Sequence, residues 1–585
     1  MPALQAATVA PPSRRQGLAP VPIERGEEFL TIAGEPGRYG GRLTASLHSE
    51  PKTFNPVTAV DAPSLAIIRQ TIGDLIHINR FTQKAEPALA ESWKISPDGK
   101  HFSLALRHGI RFSDGQPFDA DDVLFSFEVF LDENLHSPQR DLLAINGKPI
   151  QVLKSGQYSV EVYLPEPDAA AERLFDSVAI LPKHLLGKAY EEKRLNQAWG
   201  LDTPPDQMAG LGPFRLKQFV PGQFVKLERN PYYWKADRAR RRLPYLDELA
   251  YLIVPSTDAE VLRFRAGEVD VLSPLSAENF GALSDGSHAE YQLQDLGPGL
   301  EYDFLFFNLN DLPEGGSEEM QAISKKQAWF RDTRFRKAVS LSLDREGVIR
   351  LIFRGRAAPL WAQESPGNKN WVDANLPHPA RSIPEARRIL KEGGFTWNDA
   401  GDLVDPAGNR VEFSIITSSS NALRTKIATL LQDDLKQLVM DVHVVPLEFR
   451  SLMDRVFQTY DYEACVLGLV TGDADPNPEM NVWLLDGGTH LWRLRHLRPP
   501  EPWEAELDRL MRQQLVTRRV PERKKLYDRV QELVAENLPL ICIASPDVLV
   551  AAKSTLANLQ PGVIPDYALW NADSIYFRSD AGKQP

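Results

Sequence analysis

AEPALAESWKISPDGKHFSLALRHGIRFSDGQPFDADDVLFSFE, residues 85–128, is the most informative part of the chain. Asp98-Gly99 predicts a hairpin turn, because glycine tolerates the positive φ that a tight turn needs. Apolar residues then alternate over positions 102–106, which is typical of a half-buried strand. Asp119, followed by Asp122 three residues later, predicts the capping box of a helix. The segment therefore predicts two strands, a turn and a capped helix in direct succession.

The order of motifs in this segment resembles a family signature. Ala-Glu-x-Trp, Asp-Gly, Leu-Arg-x-Gly-Ile-x-Phe-x-Asp-Gly and Ala-x-Asp-Val-x-x-Ser follow one another, as in the family 5 extracellular solute-binding proteins. Members of that family are peptide- and nickel-binding receptors of ABC importers. Residues 211–234, 257–272 and 330–346 are similar to the same family. The resemblance therefore covers most of the chain from residue 38 onward.

Length and composition limit the classes of protein to consider. The chain has 585 residues, of which 43% are hydrophobic and 25% are charged, as in ordinary globular proteins. This length predicts several domain-sized units. The formal net charge is −12, so bulk electrostatics do not favour binding to nucleic acid or to anionic lipid. No window reaches the roughly 18 uncharged apolar residues that a membrane-spanning helix needs.

The resemblance implies an α/β fold with two lobes, the periplasmic-binding-protein fold (type II-like, cluster C), with an extra inserted subdomain in the first lobe. Residues 1–37 are rich in Pro, Ala and small polar residues, and we expect a disordered lead-in. We expect lobe one to comprise residues 38–305 and 538–585, with the inserted subdomain at about 77–205. Lobe two would comprise residues 306–537. Two chain crossings between lobes would form a hinge.

Two segments have the strand-helix-strand order of a β-α-β unit. The first covers residues 249–272 and the second covers residues 411–447. In such a unit the two strands normally pair parallel in one sheet, with a right-handed crossover between them. We therefore predict one parallel pair in each lobe.

The loop TGDADPNPE, residues 471–479, carries the strongest ligand-binding prediction. The resemblance implies that Asp473 pairs with the α-ammonium group of a ligand, just before the adjoining Asp475-Pro476. A carboxylate suits this role, because charge-assisted hydrogen bonds are about twice as strong as neutral ones. The same loop could instead be a proline-rich surface turn capped by its Asp side chains. The alternating acids also resemble a calcium loop, but Pro478 stands where that loop requires Gly.

Other residues are weaker candidates for contact with a ligand. Trp361 follows a turn and could stack on a ligand or pack between the lobes. Thr417, Ser418 and Ser419 end a strand before a helix, where they could bind a polar or anionic group or cap the helix. Gly212 lies in a Gly-Pro-Phe motif that resembles the family's strand entry near the cleft.

The sequence also departs from the peptide-binding pattern. An aromatic residue is common a few positions before the family's ligand-binding Asp, whereas this chain has Gly468-Leu469-Val470. The sequence is therefore compatible with five kinds of cargo: a standard peptide, a peptide-like amine, a nickel complex, an oligosaccharide and an opine-like compound.

Catalytic patterns are absent from the sequence. It contains no His-Glu-x-x-His, no Gly-x-Ser-x-Gly and no phosphate-binding Gly-rich loop. His490 and His496 lie on an Arg-rich segment that we expect at the surface, and no metal or cofactor is expected. Cys465 and Cys542 each lie in an apolar run and are expected to be buried thiols. A disulfide between them is the alternative that the sequence leaves.

These observations predict a substrate-binding receptor of an ABC importer that is not an enzyme. The expected partners are a peptide or peptide-like ligand and an ABC permease with its ATPase. We expect a monomer with a periplasmic or extracytoplasmic location, although the N-terminus lacks the pattern of a signal peptide. The alternatives are a peptide or sugar hydrolase using Asp473 and Asp475, and a non-transport chaperone or sensory receptor on the same scaffold.

Overall fold

The computed structural model describes residues 19–140, 143–145, 147–285, 289–312 and 317–578. Its strands are β1 (Leu30–Thr31), β2 (Arg42–Leu47), β3 (Ile76–Ile78), β4 (Ala85–Pro87), β5 (Ala90–Ile95), β6 (His101–Leu106), β7 (Ala144–Ile145), β8 (Lys148–Pro149), β9 (Gln151–Gly156), β10 (Ser159–Tyr163), β11 (Phe214–Val220), β12 (Phe224–Arg229), β13 (Lys235–Ala236), β14 (Glu248–Ile253), β15 (Val271–Leu272), β16 (Tyr291–Pro298), β17 (Glu301–Phe307), β18 (Ala357–Pro359), β19 (Thr396–Trp397), β20 (Leu403–Val404), β21 (Glu412–Ser418), β22 (Asp441–Leu447), β23 (Ala464–Val470), β24 (Ile541–Lys553), β25 (Leu556–Ala557) and β26 (Tyr576–Phe577). Its α-helices are α1 (Ala62–Thr71), α2 (Ala120–Leu131), α3 (Ala171–Ser177), α4 (Lys183–Glu191), α5 (Thr257–Arg265), α6 (Ala277–Ser284), α7 (Glu318–Phe330), α8 (Thr333–Ser342), α9 (Arg345–Leu351), α10 (Ile383–Glu392), α11 (Ala422–Lys436), α12 (Phe449–Asp454), α13 (Met480–Trp483), α14 (Pro502–Val516) and α15 (Val520–Asn537).

The buried apolar side chains form two large clusters, one in each lobe. The first cluster draws on residues between 43 and 271 and between 548 and 577. The second draws on residues between 302 and 544. Each cluster contains helices and strands, so the two-lobed α/β fold expected from the sequence is present. The exact lobe boundaries that we predicted remain a proposal.

Strand β24 links the two lobes. It contributes Val548 and Val550 to the first cluster and Ile541 and Cys542 to the second. Its first part pairs antiparallel with β17, and its last part pairs antiparallel with β16. Because β16 and β17 are also consecutive in the chain, two neighbouring stretches of extended backbone cross between the lobes. Such a pair is suited to act as a hinge.

The segment that resembles the family signature folds as predicted. Strands β5 and β6 form an antiparallel hairpin, and β10 and β9 complete a four-stranded sheet. Phe102, Leu104 and Leu106 are buried. Helix α2 begins with a capping box, in which the carboxylate of Asp122 accepts a hydrogen bond from the N–H of Asp119 (3.1 Å).

The two predicted β-α-β units have different outcomes. The prediction is confirmed for the second unit, because β21 pairs parallel with β22 across helix α11. The prediction is wrong for the first unit. Strand β14 pairs parallel with β2, and β15 pairs antiparallel with β24. The N–H of Asp270 donates to the carbonyl of Thr44 in β2 (2.8 Å), so β2 lies between the two strands that we expected to pair.

Residues 19–37 differ from the expected disordered lead-in, whereas residues 1–18 lie outside the described residues. Strand β1 pairs parallel with β13. The buried side chain of Arg242 donates to the carbonyl of Val21 (2.7 Å) and pairs with the carboxylate of Glu27. These contacts join positions more than 200 residues apart, so the local composition of the lead-in could not indicate them. Among the described residues, no helix combines the length and the apolar character that crossing a bilayer requires.

Candidate functional site

The loop after β23 lies where the two lobes meet. The N–H of Thr471 donates to the carbonyl of Leu300, which precedes β17 (3.3 Å). Ala474 packs with Ile78, Leu300 and Ile564 in a small apolar cluster whose members are all buried. Ile78 and Ile564 belong to lobe one, so the lobes are in direct contact at this loop.

Asp473 forms an ion pair across this junction. Its carboxylate accepts a hydrogen bond from the guanidinium of Arg173 in α3 of lobe one. The same oxygen accepts the N–H of Ala474 (2.7 Å), and Arg173 also donates to the carbonyl of Gln83 (2.8 Å). Burial raises the pKa of Asp473, and the charge of Arg173 opposes that rise. The carboxylate thus depends on a neighbouring cation for its charge.

Asp475 has a different environment, formed mainly by lobe two, with the Nε of Arg173 3.7 Å away. Its two carboxylate oxygens accept hydrogen bonds from the two terminal nitrogens of Arg523, at 2.6 and 2.7 Å. Arg523 also donates to the side chain of Asn477 (2.8 Å) and lies over the ring of Trp371. The side chains of Asp475 and Arg523 are only 5% and 4% exposed. This buried bidentate pair fixes the loop and leaves Asp475 engaged within the protein.

Further contacts link lobe one to lobe two near this ion pair. The side chain of Asn477 donates to the carboxylate of Asp168 (3.0 Å), and the N–H of Ala169 donates to the carbonyl of Leu515 (2.7 Å). Arg518 donates to two carbonyls in the β5–β6 turn, both at 2.9 Å. Burial, together with the charge of Asp475, raises the pKa of Asp168 to about 6. These contacts hold the two lobes together beside the Asp473 loop.

Three predicted hydroxyl residues lie at the end of β21. Thr417 is buried and donates to the carbonyl of Val466 in the neighbouring strand (3.0 Å). Ser418 exchanges a hydrogen bond with a nearby serine hydroxyl, and Ser419 is exposed. The helix cap is Asn421, whose side chain accepts the N–H of Arg424. The Thr417 hydroxyl is therefore hydrogen-bonded within the sheet, and neither serine caps the helix.

Trp361 packs within lobe two. Its ring stacks on His378, with ring centres 4.1 Å apart, and its indole nitrogen donates to the carbonyl of Pro379 (3.3 Å). Neither contact joins it to lobe one.

Gly212 lies where β11 meets the end of α1. Its N–H donates to the carbonyl of Thr71 (3.0 Å), and a Cβ at this position would lie 2.5 Å from the carbonyl oxygen of Gln70. This close backbone approach explains the need for glycine.

The departure at Gly468 also has a structural explanation. Arg424 of α11 pairs with Asp303 (2.8 Å) and with Glu301 (2.9 Å), both in β17. A Cβ on Gly468 would lie 2.2 Å from a terminal nitrogen of Arg424. The glycine leaves room for this guanidinium. No local pattern in the sequence indicates Arg173 or Arg424, because their acidic partners are distant in the chain.

The histidine and cysteine predictions have different outcomes. His490 was expected at the surface, but it is buried, and desolvation lowers its pKa to about 3.

Cys465 and Cys542 are both buried free thiols, as the buried-thiol prediction expected. They pair with Phe306 and Phe304, on opposite sides of β17. Strands two positions apart are separated by about 10 Å, which is too far for a disulfide.

One group of three possible metal ligands occurs among the described residues. Atoms of Asp74, His77 and Asp176 lie within 4.8 Å of one another. Arg80 forms a bidentate pair with Asp176, at 2.9 and 3.2 Å. Because this guanidinium already neutralises the carboxylate, the group is poorly suited to a cation.

Comparison with known proteins identifies the family. Residues 84–490 match the family model of the bacterial extracellular solute-binding proteins, family 5. The chain belongs to this family. As a family 5 protein, it is a substrate-binding receptor of the ABC-importer class, and the expectation from the sequence is confirmed.

Individual relatives agree with this assignment. A probable ABC transporter-binding protein of Deinococcus radiodurans is 27% identical over 540 residues, covering 88% of this family 5 chain and 89% of the relative. The oligopeptide-binding protein AppA of Bacillus subtilis is 25% identical over 540 residues, covering 90% and 89%. The crystal structure of the ABC transporter substrate-binding protein CtaP from Listeria monocytogenes has a TM-score of 0.74 at 21% identity, covering 93% and 100%. The periplasmic-binding-protein fold is thus confirmed.

Proposed function

We propose that this receptor binds a peptide or peptide-like solute with a cationic group and delivers it unaltered to an ABC permease with its ATPase. The carboxylate of Asp473 carries the proposal, because it is desolvated at the lobe junction and requires a cation. Support for a peptide comes from AppA of Bacillus subtilis, which is named an oligopeptide-binding protein. We further propose that the receptor is a periplasmic or extracytoplasmic monomer that does not bind nucleic acid.

The loop that carries Asp473 is held in place before any ligand arrives. The buried pair between Asp475 and Arg523 fixes its far side, and Asn368 donates to the carbonyl of Ala474 (2.7 Å). A preorganised carboxylate spends little free energy on ordering when it binds a cation. Asp473 is thus the proposed ligand contact, and Asp475 is the proposed positioning residue.

Ligand binding would exchange one cation for another at Asp473. Arg173 is hydrogen-bonded to the carboxylate of Asp473 in the protein without ligand, and the ligand ammonium would take its place. The displaced guanidinium would still donate to the carbonyl of Gln83, and its Nε already lies 3.7 Å from the carboxylate of Asp475. Because the exchange replaces one ion pair by another, the net binding free energy must come mainly from the remainder of the ligand. The ligand favours closure only if it prefers the closed state.

We propose no chemical step. The hydrolase alternative would use Asp473 and Asp475 as an acid pair, but each of these carboxylates is paired with its own arginine. General acid-base catalysis would require one of them to exchange a proton with a substrate. The chaperone and sensory alternatives share the binding step and differ in the use made of the bound solute.

Calorimetric titration of short peptides tests this proposal. Tri-alanine with a free amino terminus should bind, and its N-acetylated form should bind much more weakly. Asp473→Asn should weaken binding of the free form by less than the roughly 2 to 5 kcal/mol of a buried charge pair, because the unliganded protein also loses its pair with Arg173. Asp433→Asn, at an exposed pair with Lys436, is the matched control. Equal binding of both peptides, or an unchanged affinity in Asp473→Asn, would refute the proposed contact between Asp473 and the ligand ammonium. Cleavage of the peptide would support the hydrolase.

A further inference from the structure

A second polar cluster lies in lobe two and takes no part in the ion pairs of Asp473 and Asp475. We call it the Glu364 cluster, and it comprises Glu364, Glu479 and Tyr527. The hydroxyl of Tyr527 lies 2.9 Å from a carboxylate oxygen of Glu364 and 3.2 Å from one of Glu479. The indole of Trp483 donates to the same oxygen of Glu479 (2.9 Å). One phenol thus bridges two carboxyl groups.

The segment that carries Glu364 lies between the hinge strands and the Asp473 loop. The hydroxyl of Ser365 is 3.0 Å from that of Ser545 in β24. The backbone at Gly367 approaches the end of β16 so closely that a Cβ would lie 2.0 Å from the carbonyl oxygen of Pro298. Asn368 donates to the carbonyl of Ala474. Glu364 is partly exposed whereas Glu479 is buried, so a solute would reach Glu364 first.

The two carboxyl groups lack a cation. Among the residues that the structure describes, no Lys, Arg or His forms an ion pair with Glu364 or Glu479, as judged by the pairs within 4.0 Å. The Tyr527 hydroxyl has one proton and can donate to only one of them. The other carboxyl must then carry a proton or repel its neighbour. Desolvation and the charge of Glu479 raise the pKa of Glu364 to about 8, opposed by hydrogen bonds from Tyr527, Asn368 and the backbone of Ser365.

One polar atom beside the cluster lacks a hydrogen-bond partner among the described residues. It is the side-chain oxygen of Asn368, a residue that is only 2% exposed. The side chain of Asn368 also hydrogen-bonds to Glu364, and Tyr302 hydrogen-bonds to Glu479, so these side chains surround the acid pair. Buried polar groups normally have hydrogen-bond partners, and exceptions call for a bound molecule or another specific cause.

We propose that Glu364, with Glu479 behind it, is a second cation subsite that takes an ammonium or guanidinium group of the bound solute. This inference rests on the proposed function, in which Asp473 takes the first cation. The solute class is then a peptide or peptide-like compound with two cationic groups, such as a short peptide with a basic side chain. The protonated Glu364 carboxyl loses its proton to the buffer as the ligand cation forms the ion pair, so one proton is released per ligand.

The test compares tri-alanine with the three peptides in which lysine replaces one alanine, by calorimetry at pH 7. At least one lysine peptide should bind tenfold or more tightly than tri-alanine, and its heat should vary with the ionisation enthalpy of the buffer. Glu364→Gln should abolish this gain and leave tri-alanine binding unchanged. The control is Glu385→Gln, at an exposed pair with Arg388 in lobe two.

Each outcome of this test is decisive. If tri-alanine binds and no lysine peptide binds more tightly, the second subsite is refuted and the proposed function stands. A lysine gain that survives Glu364→Gln also refutes the subsite. If none of the four peptides binds, both proposals fail. The circular dichroism and melting temperature of each variant, measured beforehand, establish that it is folded.

Discussion

Arg173 of helix α3 donates a hydrogen bond to the carboxylate of Asp473 in lobe two, 300 residues away in the chain. The guanidinium of Arg173 is thus hydrogen-bonded to the same carboxylate that we propose binds the ligand ammonium. Neighbouring contacts, from Ala169 to Leu515 and from Asn477 to Asp168, close the same junction. Arg173 and the ligand ammonium would therefore compete for one carboxylate.

Removing the competing cation should strengthen ligand binding. We expect Arg173→Ala to bind tri-alanine about tenfold more tightly, a change of about 1.4 kcal/mol, because the ligand no longer has to displace a partly buried ion pair. Calorimetric titration measures this change. Lys188→Ala, at an exposed pair with Glu192 in the same lobe, should bind like the wild type. Weaker binding by Arg173→Ala would show that Arg173 itself contacts the ligand.

The pair between Asp475 and Arg523 should act mainly on stability. Asp475→Asn leaves a buried guanidinium without its carboxylate, and loss of one partner of a buried pair typically costs about 3 to 5 kcal/mol. Urea unfolding followed by fluorescence measures the free energy of unfolding. An unfolding curve that superimposes on that of the wild type, together with lost peptide binding, would instead assign Asp475 to the ligand.

The two thiols should be unreactive until the protein unfolds. Cys465 and Cys542 are fully buried, and burial raises the pKa of both thiols, which suppresses the reactive thiolate. A colorimetric thiol reagent should detect no thiol in the native protein and two in denaturant. Detection of none in denaturant would reveal the disulfide that the strand register excludes.

Stability should depend on pH through Glu364. Its pKa is raised to about 8 in the folded protein, above its value of about 4.3 when unfolded. Between these values the folded state binds more protons, so the free energy of unfolding should fall as the pH rises from about 4 to about 8. Glu364→Gln should flatten this decline. Urea unfolding at intervals of one pH unit checks it, and a slope identical to that of the wild type would contradict the assignment.

Local patterns in the sequence predicted local structure well. The hairpin and capped helix in residues 85–128 depend on neighbouring residues, and the unit in residues 411–447 pairs its strands directly. The predicted parallel pair within residues 249–272 was wrong, because β2, from 200 residues earlier, pairs with β14 instead. No local pattern indicates such a non-local insertion.

The candidate site was only partly predictable for the same reason. The resemblance indicated Asp473, but its role depends on Arg173, which lies in a helix without any motif. The resemblance matched Asp475 to the adjoining Asp-Pro, but no sequence pattern indicated its buried pair with Arg523. Glu364 carried no signal, since its importance lies in the absence of a cation around it among the described residues.

Native mass spectrometry of the purified protein with a mixture of short basic peptides tests the central claim most directly. We predict one peptide per protein molecule, released on denaturation with its mass unchanged, and a marked loss of the complex in Asp473→Asn. Release of shorter fragments, or a protein that retains no peptide at all, would contradict a receptor that traps a peptide-like solute between its lobes.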